Sequence, residues 1–252
     1  MIQRSEILVV VPAYNESANI EKVVTDIHQA GFSCVVVDDG SEDTTSQIAR
    51  NIGANVLTLP YNVGVGGALR CGFRYALENN YKAVIQCDAD GQHQSHLFNV
   101  LIDHANETNA DCVLGSRFLS IENQFETKKI RRIAMRYLAS IASAATGIKI
   151  TDSTSGFRLI RRPLLDQVAT KLPNYFLGDT FEFLVTSGRS GYQVEEVATA
   201  MLPRQFGVSS VGGAKSVAQI AKACLRVFLR INFRIEHKLL IEQSKAILQS
   251  GR

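Results

Sequence analysis

The stretch "AVIQCDADGQHQ", residues 83–94, joins an apolar run to two aspartates that stand one residue apart. A short apolar run bounded by polar residues is typical of a buried strand. Asp88 and Asp90 follow directly, at the carboxyl end where parallel sheets bind their ligands. The stretch therefore predicts a strand and a ligand site in immediate succession.

Apolar runs and helical periodicity alternate along the first half of the chain. Strands running into polar loops are expected at 7–16, 34–45, 54–60, 83–88 and 111–118, and helices at 19–28 and 67–78. Strands of four to six apolar residues, separated by amphipathic segments of about ten, indicate βαβ units. The predicted fold class is α/β, with a mostly parallel twisted sheet flanked by helices.

Composition limits the class of protein. The chain has 252 residues, of which 46% are hydrophobic and 20% charged, enough for one large domain or one domain with an appendage. The net charge of +3 is too small to indicate a partner. Five cysteines without a C-x-x-C pair indicate a reducing, cytosolic environment and no structural zinc. Neither a leader peptide nor an apolar run of 18 residues is expected.

Acidic residues follow three of the predicted strands. Glu16 follows the first strand, Asp38 and Asp39 the second, and Asp88 with Asp90 the strand at 83–88. A single acid there is typical of a turn, but three groups on one edge repel each other unless a cation or ligand intervenes. Asp-x-Asp suits Mg²⁺ or Mn²⁺ with phosphate oxygens as further ligands, and Asp39 suits ribose or base. The edge predicts a nucleotide diphosphate site with a metal.

Six strings occur in a fixed order: "VVVPAYNESANI", "VVVDDGSEDTT", "NVGVGGALRCGF", "CDADGQHQ", "GSRF" and "SGFRLIRR". Each is weak alone, but together they resemble family 2 glycosyltransferases of the GT-A fold. The closest resemblance is to the polyprenyl-phosphate branch, similar to dolichol-phosphate mannose synthases, and it covers roughly residues 5–210. It implies a metal-dependent, inverting transfer of a sugar from a UDP- or GDP-sugar.

The resemblance also implies roles for individual residues. Those expected to line the nucleotide and diphosphate are Pro12, Ala13, Tyr14, Glu16, Val37, Asp39, Gly67, Asp88, Ala89, Asp90, Arg117, Arg158 and Arg204. The metal ligands would be Asp88 and Asp90, with Gln92 helping to hold the ion. One position departs from the pattern, because Ser210 stands where a lysine is expected; Lys215 is a candidate replacement, and donor identity stays open.

The acceptor decides whether a general base is needed. A polyprenyl phosphate is already anionic and needs none, with Arg158 as a candidate to hold its phosphate. A hydroxyl of a growing glycan or lipid-linked saccharide must lose a proton to a nearby carboxylate. The residues implied in catalysis are Asp90, Arg117, Asp152, Asp179 and Glu182. The lipid phosphate is the favoured acceptor, and the hydroxyl is the alternative.

Two basic segments indicate a membrane surface. A stripe on one predicted helix recurs every four residues, at Lys222, Arg226, Arg230 and Arg234, with aliphatic and aromatic residues between. Residues 128–147 open with four basic residues in the first five positions, and a small-residue apolar run follows. We expect a peripheral enzyme on the cytoplasmic face, with a small membrane partner protein as one option. The alternative is a packed helix with solvated charges.

The chain divides by expected role into 1–118 for nucleotide sugar and metal, 119–210 for the acceptor, and 211–252 as a basic helical tail. The sequence argues against two other classes of protein. A dinucleotide-binding oxidoreductase is excluded, because "GVGGAL" has Leu69 at the third glycine position and does not follow the first strand. A non-catalytic scaffold is disfavoured by the intact Asp88 and Asp90.

Overall fold

The computed structural model describes residues 1–119, 129–175, 177–201, 214–229, 231 and 233–250. The strands are β1 (Ile7–Ala13), β2 (Ser33–Asp38), β3 (Asn55–Thr58), β4 (Ala83–Gln86), β5 (Cys112–Ser116), β6 (Arg158–Arg161) and β7 (Val194–Ala198). The α-helices are α1 (Ile20–Gln29), α2 (Thr45–Asn51), α3 (Val65–Glu78), α4 (Phe98–Thr108), α5 (Lys129–Thr146), α6 (Leu164–Lys171), α7 (Phe183–Arg189), α8 (Ala214–Phe228) and α9 (Lys238–Ser250). A π-helical turn, Gly178–Glu182, precedes α7.

One seven-stranded sheet runs through the molecule in the order β3-β2-β1-β4-β6-β5-β7. Strands β1 to β4 are parallel, and so is the pair of β5 and β7. Strand β6 runs antiparallel between β4 and β5. The prediction of a mostly parallel α/β sheet is confirmed. Because β6 and β7 belong to it, residues beyond 118 complete the same sheet as the first half of the chain.

The sheet is covered by apolar residues on both faces, as expected for parallel strands. Alternate residues of β1 pack into opposite layers: Leu8 and Val10 contact the side of α3, whereas Val9 and Val11 contact the side of α1 and α4. Helix α1 buries Ile20, Val23, Val24 and Ile27, which are the residues whose spacing predicted it. Two buried layers therefore hold the carboxyl ends of β1, β2 and β4 in a fixed arrangement.

The register brings those three strand ends together. Ala13 of β1 lies beside Asp38 of β2, and Val10 lies beside Gln86 of β4. The amide of Asp39 donates to the carbonyl of Ala13 at 2.8 Å, which continues the pairing past the strand end. The expectation that the acidic loops share one edge of the sheet is thus confirmed.

Helix α8, on which the basic stripe was predicted, is shorter than the stripe requires. Helix α8 ends at Phe228, so Arg234 lies in a non-helical segment before α9, and Arg230 lies outside the described residues. Arg226 forms an ion pair with the buried Glu182. The prediction that one helix carries all four basic residues is therefore wrong: Arg234 lies six residues beyond the end of the helix, and Arg226 is paired with a buried carboxylate. No helix in the described ranges has both the length and the apolar character needed to cross a bilayer.

Candidate functional site

The loops after β1 and β2 interlock to form one side of the site. The amide of Asn15 donates to Ser41 Oγ at 2.9 Å, and the amide of Glu42 donates to Asn15 Oδ1 at 2.9 Å. The amide of Glu16 donates to Thr45 Oγ1 at 2.9 Å. Tyr14 is nearly half exposed at this edge. Two predicted nucleotide-binding residues, Tyr14 and Glu16, are therefore held where β1 and β2 end.

The two aspartates after β2 have separate roles. Asp38 is a loop brace, since its carboxylate accepts hydrogen bonds from the Ser41 amide and the Ser46 hydroxyl. Asp39 accepts from the amides of Val63 at 2.7 Å and Gly64 at 2.9 Å. Burial raises the pKa of Asp39, and these two amides oppose the rise. Asp39 thus fixes the glycine-rich start of α3 against the predicted nucleotide edge.

The glycines at 64–67 have packing reasons of their own. Gly64 has a φ of +87°, which favours glycine, and a Cβ on Gly66 would overlap the carbonyl of Pro173. Gly67 lies inside the first turn of α3, where a Cβ would collide with the Val63 side chain. Close approach within the protein accounts for these glycines, and a donor contact at Gly67 stays a prediction.

The loop after β4 is organised by a histidine that the sequence reading missed. The amide of Asp88 donates to His93 Nδ1 at 2.9 Å, and the His93 ring stacks on Phe157 at 4.9 Å between centroids. The amide of Gln92 donates to Asp90 Oδ1 at 3.1 Å. Nδ1 therefore acts as an acceptor, so the neutral ring carries its proton on Nε2. The only sequence signal was a histidine five residues after the first aspartate.

The carboxylates of this loop suit a divalent cation. The Asp88 side chain is 38% exposed. A Cβ placed on Gly156 would lie 3.0 Å from Asp88 Oδ2, so the carboxylate lies directly against this glycine. Asp90 is buried beside it in the loop. Within the described ranges no three histidine, cysteine or acidic side chains converge as a ligand set. Two carboxylates fit Mg²⁺ or Mn²⁺, because such ions commonly complete their shell with water and substrate phosphate.

Arg117 is held at the end of β5 by a buried carboxylate. Its Nε and Nη2 donate to Asp152 at 2.6 and 2.8 Å, and Nη2 also donates to Thr154 Oγ1 at 3.0 Å. The Asp152 side chain is fully buried. Asp152 in turn is oriented by Glu196 of β7, which accepts from the Asp152 amide at 2.8 Å. Asp152, predicted as a general base, is therefore located as the fixed counter-ion of Arg117.

Arg158 and Asp179 form a second buried cluster. Arg158 is 1% exposed, and it donates to the carbonyls of Asp179 at 2.8 Å and Ser155 at 3.1 Å. The guanidinium is enclosed and supports the turn from inside, and its contact with an acceptor phosphate stays a prediction. Burial raises the pKa of Asp179 to about 6, with the Arg158 charge opposing and the Asp88 charge adding.

Glu182 is also enclosed. Its side chain is fully buried, and it binds Arg226 through Oε1 and the Tyr175 hydroxyl through Oε2. Of the three acids predicted as possible bases, the structure thus places only Asp179 without a side-chain ion pair among the described contacts. Val37 is fully buried in β2, so its side chain offers the nucleotide no surface. Arg204 and Ser210, and the side chain of Lys215, lie outside the described residues.

Comparison with known proteins gives a consistent set of relatives. A family model described as glycosyl transferase family 2 matches residues 8–169. The chain is 30% identical over 218 residues to polyprenol monophosphomannose synthase of Mycolicibacterium smegmatis, covering 82% of this chain and 81% of the relative. It is 25% identical over 224 residues to UDP-N-acetylglucosamine--dolichyl-phosphate N-acetylglucosaminyltransferase of Methanococcus voltae, covering 81% and 88%.

A solved structure supports the fold. Glucosyl-3-phosphoglycerate synthase of Mycobacterium tuberculosis, in complex with Mn²⁺, uridine diphosphate and glucosyl-3-phosphoglycerate, superposes with a TM-score of 0.62. The alignment has 20% identity and covers 91% of this chain and 80% of that one. The two proteins therefore share the same arrangement of sheet and helices.

Proposed function

The chain belongs to glycosyl transferase family 2, and we propose that it moves a sugar from a nucleoside-diphosphate sugar to a polyprenyl phosphate. One observation carries the proposal: the loops after β1, β2 and β4 converge, with Asp39, Asp88 and Asp90 on one edge and the Asp179 cluster beside them. The names of both relatives contain a polyprenol-type lipid, whereas their sugars differ. The acceptor class is therefore better supported than the sugar.

The donor would lie across the ends of β1, β2 and β4. Tyr14 and Glu16 would border the nucleoside, and Asp39 would set the height of the Val63–Gly64 loop beneath it. Asp88 and Asp90, with Gln92, would hold Mg²⁺ or Mn²⁺ against the diphosphate; the solved structure of similar fold contains Mn²⁺ together with uridine diphosphate. Whether the base is uracil or guanine is a question for the donor panel below.

The chemistry is one displacement at the anomeric carbon. The bond to the nucleoside diphosphate breaks as a phosphate oxygen of the lipid forms the new bond, which inverts the configuration. A bound metal would stabilise the negative charge that develops on the leaving diphosphate. Arg117 would add a second positive charge there, and Asp152 fixes the orientation of its guanidinium. Burying the Asp152 carboxylate thus serves to aim Arg117.

A lipid phosphate needs no proton removed, and that sets an experiment. Purified protein is assayed with UDP- and GDP-sugars, Mn²⁺ or Mg²⁺, and a short-chain polyprenyl phosphate. We expect sugar on the lipid phosphate, and Asp179→Asn within about tenfold of wild type, since no general base is required. Transfer only to a hydroxyl acceptor, with Asp179→Asn slowed by about 10² or more, would replace this proposal with the glycan alternative.

The membrane surface is a second part of the proposal. Leu225, Phe228, Leu229 and Ile231 are exposed around the end of α8, and Phe228 is 81% exposed. Apolar side chains at this density suit the interface of a bilayer, where the acceptor's isoprenoid chain resides. We propose that this end of α8 contacts the cytoplasmic membrane surface.

Vesicle sedimentation tests the membrane contact. Phe228→Ser should lower binding to phosphatidylglycerol vesicles several-fold, since it removes the most exposed apolar side chain of the patch. The matched control is Tyr61→Ser, which removes an exposed aromatic side chain from the opposite part of the chain near β3. Equal binding by both variants and wild type would return α8 to an ordinary packed helix.

A further inference from the structure

The segment 173–182, of which the structure describes 173–175 and 177–182, contacts the predicted donor loop at one end and helix α8 at the other. At its start, Gly66 of α3 has no room for a Cβ because the Pro173 carbonyl stands there. Asn174 Nδ2 donates to the carbonyl of Val63 at 3.2 Å. Val63 is the residue whose amide is held by Asp39. One end of the segment is thus in direct contact with the loop that would lie under the nucleoside.

The other end of the segment is tied to α8 by a compact charged group. Both Nε and Nη2 of Arg226 lie 2.6 Å from Glu182 Oε1, and the Tyr175 hydroxyl donates to Oε2 at 2.8 Å. The Arg226 guanidinium also lies over the Tyr175 ring, 4.1 Å from its centroid. We call Tyr175, Glu182 and Arg226 the latch. It joins residues 44 positions apart in sequence and satisfies both oxygens of a fully buried carboxylate.

Between these two ends the segment carries the reacting side of the site. Asp179 lies on the π-helical turn, and its backbone carbonyl accepts a hydrogen bond from the buried Arg158. Arg158 also donates to the Ser155 carbonyl at 3.1 Å, and the adjacent Gly156 lies against the Asp88 carboxylate, so the turn is connected to the proposed metal ligands. A shift of the segment would therefore move the wall that faces the transferred sugar and its acceptor.

We propose that Arg226 is a positioning residue for the acceptor: it acts through Glu182 and Tyr175 to fix segment 173–182 in its catalytic place. The inference rests on the proposed function and deepens it, because it assigns helix α8 a task at the site as well as at the membrane. Arg226 and the exposed Phe228 are two residues apart on one helix, so whatever seats α8 also sets the latch.

Buried ion-pair chemistry explains why one arginine can have this effect. A carboxylate inside a protein is tolerated when it is paired and hydrogen-bonded, and removal of one partner leaves the charge uncompensated. Without Arg226, Glu182 would have to take up a proton or draw water into the turn. Lysine could supply the charge but not the planar contact with both the carboxylate and the Tyr175 ring.

Steady-state kinetics test the latch with short-chain polyprenyl phosphate in detergent, where vesicle binding plays no part. We expect Arg226→Gln to lower kcat/KM for the lipid phosphate at least tenfold while KM for the nucleotide sugar stays within twofold. Arg226→Lys should recover only part of the loss. The double variant Glu182→Gln/Arg226→Gln should have a higher kcat/KM for the lipid phosphate than Arg226→Gln alone, since no charge is then left unpaired. Lys222→Gln, which removes an exposed positive charge one turn earlier, is the matched control and should equal wild type.

A merely structural role predicts another pattern. The inference would be overturned if KM for the nucleotide sugar rose by as large a factor as kcat/KM for the lipid phosphate fell, or if Arg226→Gln kept full activity. Hydrogen exchange of the amides at 177–182 gives a readout independent of turnover: we expect faster exchange in Arg226→Gln than in Lys222→Gln, and equal exchange would also overturn it. If wild type makes no lipid product, the proposed function fails, and the latch is then judged by exchange alone.

Discussion

The proposed donor edge and the ion-paired region, which comprises Arg117 with Asp152 and Arg226 with Glu182, are held by different kinds of contact. At the donor edge, Asp39 and Asp88 follow parallel strands of one sheet, and backbone amides contact both loops. In the ion-paired region, Asp152 and Glu182 are buried carboxylates, and arginines distant in sequence neutralise them. The donor edge is therefore a consequence of sheet topology, whereas the ion-paired region depends on tertiary contacts. Substitutions should damage the two regions in different ways.

The largest effect should come from the proposed metal ligands. Asp88→Asn keeps the size of the side chain but removes a charge from an exposed carboxylate, so the fold should be unaffected. We expect kcat/KM to fall about 10³-fold, or about 4 kcal/mol of transition-state stabilisation. Turnover at saturating Mn²⁺ and thermal unfolding are measured together. Asp103→Asn, on the exposed face of α4, is the control. A normal rate in Asp88→Asn would show that the loop after β4 does not hold the catalytic metal.

Substitutions in the ion-paired region should instead lower stability. Arg117→Met leaves the fully buried Asp152 without its partner, and breaking a buried pair in this way costs about 3 to 5 kcal/mol. Urea unfolding would measure the loss, and Arg117→Met/Asp152→Asn should recover part of it. Arg74→Met removes an exposed arginine of α3 and should have little effect. If Arg117→Met were as stable as Arg74→Met, Asp152 would not be the counter-ion that the geometry indicates.

How far the sequence could foretell each region follows from the same contrast. Apolar runs that end in acids predict the strands, and they predict the edge of the sheet on which Asp39 and Asp88 lie, because parallel strands align their carboxyl ends. Nothing local couples Arg117 to Asp152, 35 residues away, or Glu182 to Arg226, 44 residues away. Asp152 and Glu182 therefore read as possible bases, and Arg226 as part of a membrane stripe. Side-chain burial, which one sequence does not display, decides these roles.

Asp179, on the same π-helical turn as Glu182, offers a pH-dependent test. Its pKa is raised from 3.8 to about 6 by burial, so the folded state holds the proton more tightly than the unfolded chain. The associated stability is fully present below pH 4 and is lost as the pH rises through 6. The side chain that replaces it in Asp179→Asn does not titrate. Above pH 6 the free energy of unfolding of the metal-free variant should therefore exceed that of wild type by at most about 3 kcal/mol.

Unfolding in chelator at pH 4 and pH 7 checks this sign. The difference between variant and wild type should be small at the lower pH and should grow toward the higher one. A constant difference at both values would mean that the Asp179 carboxyl does not titrate with folding. Asp103→Asn, which removes an exposed carboxylate of α4, is again the control.

The smallest effect joins the two regions at one glycine. A Cβ on Gly156 would lie 3.0 Å from Asp88 Oδ2 and 3.1 Å from Gln86 Nε2, tighter than ordinary contact. Because Asp88 is partly exposed, its carboxylate can turn away, at a cost in its aim toward the cation. We expect Gly156→Ala to weaken Mn²⁺ binding in the presence of nucleoside diphosphate about fivefold, near 1 kcal/mol. Gly147→Ala, whose new Cβ meets nothing within 4 Å, should lower stability through its φ of +78° and leave Mn²⁺ affinity unchanged. Equal affinities in all three proteins would show that the Asp88 carboxylate adjusts without loss, and the donor edge would then be less rigid than the sheet beneath it.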